Sequence, residues 1–302
     1  MFIVKHRKIW FTLSAILLAV SAWAIFAYGF NLSIDFKGGT ITEVRYDGER
    51  PEKSLLEERI GRLDLGGFSV RPSEDDRYVI HTRELSVEEQ RNLTSTLSLP
   101  GSIFTVERSN TVGPVAGAEL QSKAAKAIIV VVVMIMVFIT FAFRKVSKPV
   151  ASWKYALSTI IALAHDVIIP TGIFVLLGRI LGYEIDLLFV SGLLAIMGYS
   201  VHDTIVVFDR VRENLGTNQE KHLDEDYEET VGKSVTQTMG RSINTSFTTF
   251  ILLLTLYFFG PTATERFALL LVIGIIVGTY SSIFVGSPLL VTFYKLQGRK
   301  KA

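Results

Sequence analysis

Apolar positions along this chain form six long blocks, and a polar stretch, residues 31–123, separates the first block from the second. Each block is close to the length of about 20 residues that a helix needs to span the hydrocarbon core of a bilayer. The blocks are Ile9–Tyr28, Ala124–Phe143, Tyr155–Leu177, Leu187–Phe208, Ile243–Phe259 and Phe267–Leu290. The pattern predicts an α-helical integral membrane protein with six transmembrane helices.

The first block has two interpretations. It follows a basic start, and Ala22-Trp23-Ala24 resembles the cleavage site of a signal peptide. The block is longer than the apolar core of about 7–15 residues that signal peptides carry. We therefore expect an anchored first helix, with a cleaved signal peptide as the alternative.

The polar insert alternates between strand and helix patterns. The predicted order is strand, helix, strand, strand, helix, strand, over Thr40–Asp47, Pro51–Leu65, Phe68–Ser73, Arg77–Arg83, Ser86–Leu99 and Ile103–Ser109. Ser86 with Glu89 three residues later is typical of a capping box at a helix start. The order β-α-β-β-α-β predicts a small α+β ferredoxin-like domain, a fold that assigns no function by itself.

Basic residues predict the orientation, because they are enriched in cytoplasmic loops. With six spans, most of them fall on one side: Lys5, Arg7, Lys8, Arg144, Lys145, Lys148, Lys154, Arg210, Arg212, Lys221, Lys233, Lys295, Arg299, Lys300 and Lys301. The short loops on the other side carry only Arg179 and Arg266. Both termini are thus expected in the cytoplasm, with the insert outside.

These boundaries divide the chain into four expected parts. They are a cytoplasmic start with the first helix (1–30), the extracytoplasmic domain (31–123), five transmembrane helices with a cytoplasmic loop at 210–240 (124–294), and a cytoplasmic tail (295–302). Within the loop, apolar residues recur every four positions at Tyr227, Val231, Val235 and Met239. The stripe predicts an amphipathic helix on the membrane surface, or else a solvated linker helix.

Composition excludes several classes of function. A formal net charge of +2 gives no case for nucleic-acid binding, and the absence of cysteine excludes disulfides, thiolate metal sites and cysteine nucleophiles. The chain has no G-x-x-x-x-G-K-[ST] pattern, so ATP hydrolysis through a P-loop is unsupported. We expect no enzyme activity and no cofactor, with protons as the only coupling ion.

One carboxylate is the leading candidate for chemistry, because an ionisable residue inside a membrane span marks a functional site by default. Asp203 shares a helical face with Gly192, Ala195 and Tyr199 in the fourth block. Arg241, at the start of the fifth block, is expected at a similar depth as its partner. If the cation leaves, the buried carboxylate takes a proton, and if it returns, the proton is released. The alternatives are a purely structural Asp203 and an interfacial Arg241.

Other polar residues extend this candidate path. Asp166 lies near the centre of the third block, and Thr279 lies in the sixth beside Gly274 and Gly278. Possible modulators are His165, His202, Thr245 and Ser282. Each histidine directly precedes an aspartate, but a buried histidine is more often a hydrogen-bonded core residue. The spacing of histidines and carboxylates matches no standard metal site.

Five stretches together resemble the SecD/SecF family of protein-export membrane proteins, within the RND superfamily, and most closely its smaller, SecF-type member. They are Ile34–Thr40, Ala164–Val167, Gly198–Asn214, Gln237–Ser242 and Val277–Ser282. The resemblance covers essentially the whole chain. It implies half of an RND-type bundle, with Asp203 at the family's proton-path aspartate, Arg241 at its essential arginine, and Thr279 at a threonine of the last span. His202 departs from many relatives, which have asparagine there.

The resemblance also implies function and partners. It predicts an auxiliary subunit that uses the proton motive force, with SecD, to promote preprotein translocation across the bacterial cytoplasmic membrane. The implied partners are SecD, the SecYEG translocon, the accessory proteins YajC and YidC, the exported unfolded polypeptide and membrane lipid. The alternatives are an RND-type proton-coupled efflux component for small molecules and a non-catalytic assembly scaffold.

Overall fold

The structure is a computed structural model that describes residues 2–48, 50–73, 76–99, 102–144 and 150–299. Four basic residues used above to predict orientation, Lys145, Lys148, Lys300 and Lys301, lie outside the described residues. The described chain divides into two compact units, one formed by residues 1–31 with 126–302 and the other by residues 32–125.

The first unit is a helical bundle. Its helices are α1 (Phe2–Lys5), α2 (Arg7–Tyr28), α6 (Pro114–Ala142, which begins in the second unit), α7 (Ser152–Leu181), α8 (Leu187–Glu220), α9 (Tyr227–Phe259), α10 (Thr262–Ser281) and α11 (Ser287–Arg299), with a π-helical turn at Ser282–Gly286 between the last two. Six helical segments are long and apolar enough to cross a membrane, the sixth being Thr264–Gln297. The predicted six-span helical architecture is confirmed.

Glycines set the closest approaches between these helices. A Cβ on Gly172 of α7 would lie 2.4 Å from the Ser21 Cβ of α2, so only glycine fits that crossing. Gly274 and Gly278 of α10 face Ile196 and Ser200 of α8. Small residues let helix backbones approach each other in the membrane, where lipid supplies little hydrophobic driving force.

The segment predicted as a loop at 210–240 is mostly helix. Helices α8 and α9 continue past the apolar blocks, and only residues 221–226 connect them. The two extensions are joined by hydrogen bonds, such as those from Asn214 Nδ2 to Ser234 Oγ (2.8 Å) and from Asn218 Nδ2 to Thr230 Oγ1 (3.2 Å).

The apolar stripe in this segment also differs from both expectations. Tyr227, Val231 and Val235 are buried in the main core of the bundle, and Met239 packs against it. The periodicity predicted the apolar face correctly but not its environment. Because the α8 extension lies alongside, the face packs on protein rather than on lipid or water.

The second unit is a four-stranded antiparallel sheet with two helices. Short helix α3 (Ile34–Lys37) precedes β1 (Gly39–Asp47), α4 (Lys53–Gly61), β2 (Ser69–Ser73), β3 (Arg77–Thr82), α5 (Val87–Leu97) and β4 (Ile103–Val112). The strand order is β2-β3-β1-β4, with every neighbouring pair antiparallel. This is the topology expected of the predicted β-α-β-β-α-β unit. Its core includes Val44, Tyr46, Leu56, Ile80 and Leu93.

Two adjacent glycines form the turn that enters this sheet. Gly38 has φ 77° and Gly39 has φ 130°, a region that side chains with a Cβ rarely adopt. A Cβ would also lie 2.8 Å from the Pro114 Cα at Gly38 and 2.7 Å from the Thr82 carbonyl oxygen at Gly39. Both backbone conformation and space therefore require glycine here.

The capping box of α5 gives a prediction about pH. Ser86 and Glu89 make the reciprocal bonds, and the Arg83 guanidinium together with the Ser86 backbone lowers the pKa of Glu89 to about 2. A carboxyl whose pKa falls on folding stabilises the fold above its unfolded value and loses that contribution as pH falls through its folded value. We expect hydrogen exchange of α5 amides to show lower local stability at pH 3 than at pH 6.

The matched variant is Glu89→Gln, which cannot ionise. It should have lower α5 protection at pH 6 and a flatter response between the two pH values. An equal pH response in the wild type and the variant would contradict the assignment.

A buried carboxyl network in the helical bundle

Asp166 of α7 is completely buried in the bundle. Its Oδ2 accepts hydrogen bonds from the Ser200 hydroxyl of α8 and from the Ser281 hydroxyl of α10, the latter at 2.7 Å. Its Oδ1 lies 2.9 Å from Nδ1 of His165, whose ring stacks on Tyr280 with centroids 5.8 Å apart. The carboxyl group is thus held by three side chains from three helices.

Asp203 of α8 lies about one helical turn after Ser200 on the same helix and is 8% exposed. Ser242 of α9 and Ser282 of the π-turn face its carboxyl group, and Asp166 is close enough to interact with it electrostatically. The Oδ2 atom of Asp203 and the Ser242 hydroxyl are both buried without a hydrogen-bond partner among the described residues. Buried polar atoms are nearly always bonded, so among the described residues the network is incomplete at this carboxyl group, as it also is at the His165 Nε2 atom.

The π-turn Ser282–Gly286 interrupts the sixth span beside both carboxyl groups. The Ser282 hydroxyl lies 2.9 Å from Thr204 Oγ1 and 3.4 Å from the Ser200 carbonyl oxygen. Two adjacent serines therefore contact different parts of the site. Ser281 donates to Asp166, and Ser282 contacts the segment of α8 that carries Asp203. π-helical turns inside α-helices are rare and frequently occur at functional sites.

A second polar cluster lies further along α9. Thr279 of α10 donates to Ser246 of α9 at 2.6 Å, and the Tyr199 hydroxyl of α8 donates to the same serine oxygen at 3.0 Å. Ser242 and Ser246 are four residues apart and both buried, so one face of α9 carries both contacts. Thr279 is therefore linked to the Asp203 side of the bundle through α9.

Three residues expected at the site lie elsewhere. Arg241, Thr245 and His202 are exposed on the bundle surface. Within the part of the chain that the structure describes, no ion pair or hydrogen bond joins Arg241 to Asp203. The structure thus brings together Asp166, Asp203, His165 and Ser282, places Thr279 in the second polar cluster, and leaves these three on the outside.

Four further serines belong to the network beyond the site residues predicted from the sequence: Ser200, Ser242, Ser246 and Ser281. The sequence spacing gave some indication of their role. Ser200 precedes Asp203 by three residues, and Ser242 and Ser246 share one helical face. Serine in a membrane helix often bonds its own backbone, so sequence alone does not separate these roles.

This arrangement is suited to holding and passing protons rather than to binding metal. Hydroxyl groups of α8 and α10 bond the Asp166 carboxyl group, and Ser282 of the π-turn bonds the segment of α8 that carries Asp203. Of the residues described, no group of three or more histidines, aspartates and glutamates has a geometry for a metal ion.

Comparison with known families gives two matches. The sequence matches the family described as "Protein export membrane protein SecD/SecF, C-terminal" over residues 95–296. It also matches the "SecD/SecF GG Motif" over residues 23–49, which include the Gly38-Gly39 turn.

Individual relatives agree. The chain is 38% identical to "Protein translocase subunit SecF" of Thermobaculum terrenum, covering 96% of this chain and 93% of that protein. It is 36% identical to the same-named protein of Calditerrivibrio nitroreducens, covering 97% and 93%.

A solved structure is also similar. The crystal structure of SecDF from Thermus thermophilus, titled a translocon-associated membrane protein, matches with a TM-score of 0.82 at 34% identity. That match covers 97% of this chain and 38% of the SecDF chain, so this chain spans about two fifths of that structure.

Proposed function

Because this chain belongs to the SecD/SecF family of protein-export membrane proteins, we propose that it is a subunit of the Sec machinery in which proton transfer through buried carboxyl groups promotes preprotein translocation. The observation that carries the proton role is the Asp166–Asp203 network. Charged groups in membrane helices are costly and usually mark ion or proton paths.

Asp203 is the group that takes up and releases the proton in this proposal. Its Oδ2 and the Ser242 hydroxyl have no hydrogen-bond partner among the described residues, so a proton taken up by the carboxyl group would provide a donor at this place. Asp166 is the second acid of the relay, and Thr279 supports the α9 side of the path. Arg241 approaches Asp203 in another step of the cycle, since the two are separate in the conformation described.

The energy available fits a conformational role. One charge moving through 100 mV of membrane potential releases about 2.3 kcal/mol. This biases an equilibrium between two conformers by roughly 50-fold, at about 1.4 kcal/mol per factor of ten. Sustained movement of a polypeptide therefore needs several protons, which fits an auxiliary subunit better than a sole motor.

The bundle also needs a partner. Arg241, Asn244, Thr245 and Thr248 form one exposed polar face of α9, and His202 is exposed on α8. Lipid cannot satisfy such groups, so they must face protein or a water-filled path. We propose that a SecD-type second bundle covers this face, since the SecDF relatives carry additional sequence in the same chain.

We propose that both termini and residues 221–226 lie in the cytoplasm, and that the four-stranded domain lies outside a bacterial cytoplasmic membrane. The distribution of basic residues supports this orientation. The external domain is then available to the emerging polypeptide.

Purification of the tagged chain from its native membranes in mild detergent tests the assignment. We expect a SecD-type protein and the translocation channel to be recovered with it, and loss of the chain to slow export of a secreted reporter. YajC and YidC are further expected partners. Recovery of only the chain itself, with normal export in its absence, would contradict the proposal.

A further inference from the structure

The π-turn Ser282–Gly286 is held by two serines that have no other evident role. The Ser287 hydroxyl donates to the carbonyl oxygen of Ser282, the first residue of the turn, at 3.0 Å. The Ser158 hydroxyl of α7 donates to the carbonyl oxygen of Gly286, the last residue, at 2.6 Å. Both serines are fully buried, so no solvent substitutes for these bonds.

These two bonds matter because backbone carbonyl groups in a membrane need hydrogen-bond partners. A π-turn disturbs the regular pattern of backbone hydrogen bonds, and a carbonyl group left without a partner in a bilayer is destabilising. Serine hydroxyls are among the groups that restore such bonding. Two buried hydroxyl groups thus bond carbonyl oxygens at the first and the last residue of this turn.

The turn determines where Ser281 and Ser282 point. Ser281 donates to Asp166, and Ser282 contacts Thr204 and the Ser200 carbonyl on either side of Asp203. Neighbouring residues on an α-helix point about 100° apart, so the extra residue of the turn sets the orientation of the end of α10, which carries Ser281, and of Ser282 relative to α11. A one-residue change of register would therefore rotate these two serines relative to the segment after the turn.

We propose that Ser158 and Ser287 are positioning residues for the proton site: they hold the π-turn, and the π-turn holds Ser281 and Ser282 against the two carboxyl groups. This inference deepens the proposed function and rests on it for what the site does. Neither serine touches Asp166 or Asp203, so both act through the backbone of the turn.

The test is the variants Ser158→Ala and Ser287→Ala, alone and combined. The readout is infrared spectroscopy of the full chain in lipid, which follows the carbonyl stretch of protonated carboxyl groups against pH. Asp166→Asn and Asp203→Asn assign the bands. Loss of ordered hydroxyl donors should move the protonation midpoints by about one pH unit or more, as expected when hydrogen bonds to a carboxylate change.

The matched control is Thr292→Ala in α11. Thr292 Oγ1 donates to the Pro288 carbonyl oxygen at 3.0 Å, an ordinary bond to the preceding helical turn outside the π-turn. Ser287→Thr keeps the hydroxyl and should restore the wild-type midpoints. If Ser287→Ala does not fold, Ser158→Ala on the neighbouring helix tests the same turn independently.

The outcomes separate this inference from the proposed function. Midpoints that match those of Thr292→Ala in both alanine variants would overturn the positioning role, whatever happens to export. Shifted midpoints together with a gradient response that survives Asp203→Asn would support the positioning role and refute the export mechanism.

Discussion

Replacing Asp203 with Asn is expected to abolish the stimulation of export by the proton gradient while the chain still assembles with its partners. Asn has nearly the same shape and keeps the contacts to Ser242 and Ser282, but it cannot take up a proton. The measurement is the rate of preprotein translocation into membrane vesicles, with and without an imposed gradient. We expect the ratio of the two rates to fall to about one. Without a proton on this residue, the membrane potential no longer gives the conformational equilibrium its bias of roughly 50-fold per charge at 100 mV.

Asp209→Asn is the matched control for this experiment. Asp209 lies on the same helix, is 53% exposed, and forms an ion pair with Arg212 at 2.6 Å. It should retain the gradient response, because an exposed ion pair contributes little and is already in contact with water. Arg241→Met should reproduce the loss seen for Asp203→Asn. A full gradient response in both Asp203→Asn and Arg241→Met would refute the relay.

Replacing Gly172 with Ala is expected to separate α2 from α7. The added Cβ would lie 2.5 Å from the Ser21 Cα, and a backbone atom cannot move aside as a flexible side chain can. Overpacking of this kind typically costs about 1–3 kcal/mol. The measurement is thermal unfolding of the purified chain in detergent, where the midpoint should fall clearly below that of the wild type.

Gly198→Ala and Gly240→Ala are the controls for this crossing. Both glycines lie inside candidate membrane helices, and nothing lies within 4 Å of the position that a Cβ would occupy. Alanine there should leave the unfolding midpoint unchanged or raise it, since alanine favours helix more than glycine does. Equal effects at Gly172 and at these two positions would mean that loss of glycine itself, rather than the close approach of α2 and α7, lowers the unfolding midpoint.

Sequence was sufficient for the parts of this protein that depend on periodicity. Blocks of apolar residues predicted the six helices, and Ser86, Glu89 and the strand alternation predicted the elements of the four-stranded domain. Aspartates at 166 and 203 were also recognisable, because a charge in an apolar block is unusual whatever its neighbours.

Features that depend on tertiary contacts were less accessible. The stripe from Tyr227 to Met239 has the same spacing whether it covers lipid or the α8 extension. The π-turn has no periodic signature in Ser282–Gly286, and it becomes visible only through the carbonyl groups that Ser158 and Ser287 bind. The pairing of Arg241 with Asp203 was inferred from depth alone, and depth does not specify which way a side chain points around the helix.

The long hairpin of α8 and α9 has a mechanical consequence. From Asp203 to Glu220 the helix continues without interruption for 18 residues, and at a rise of about 1.5 Å per residue this is a rod of about 25 Å. Hydrogen bonds between the two helices stiffen it, so we expect a tilt at the carboxyl site to be transmitted along its length. A tilt of about 5° at that site would carry residues 221–226 through about 2 Å over this length. A change too small to alter packing around Asp203 would thus be amplified into a displacement that a neighbouring protein can detect.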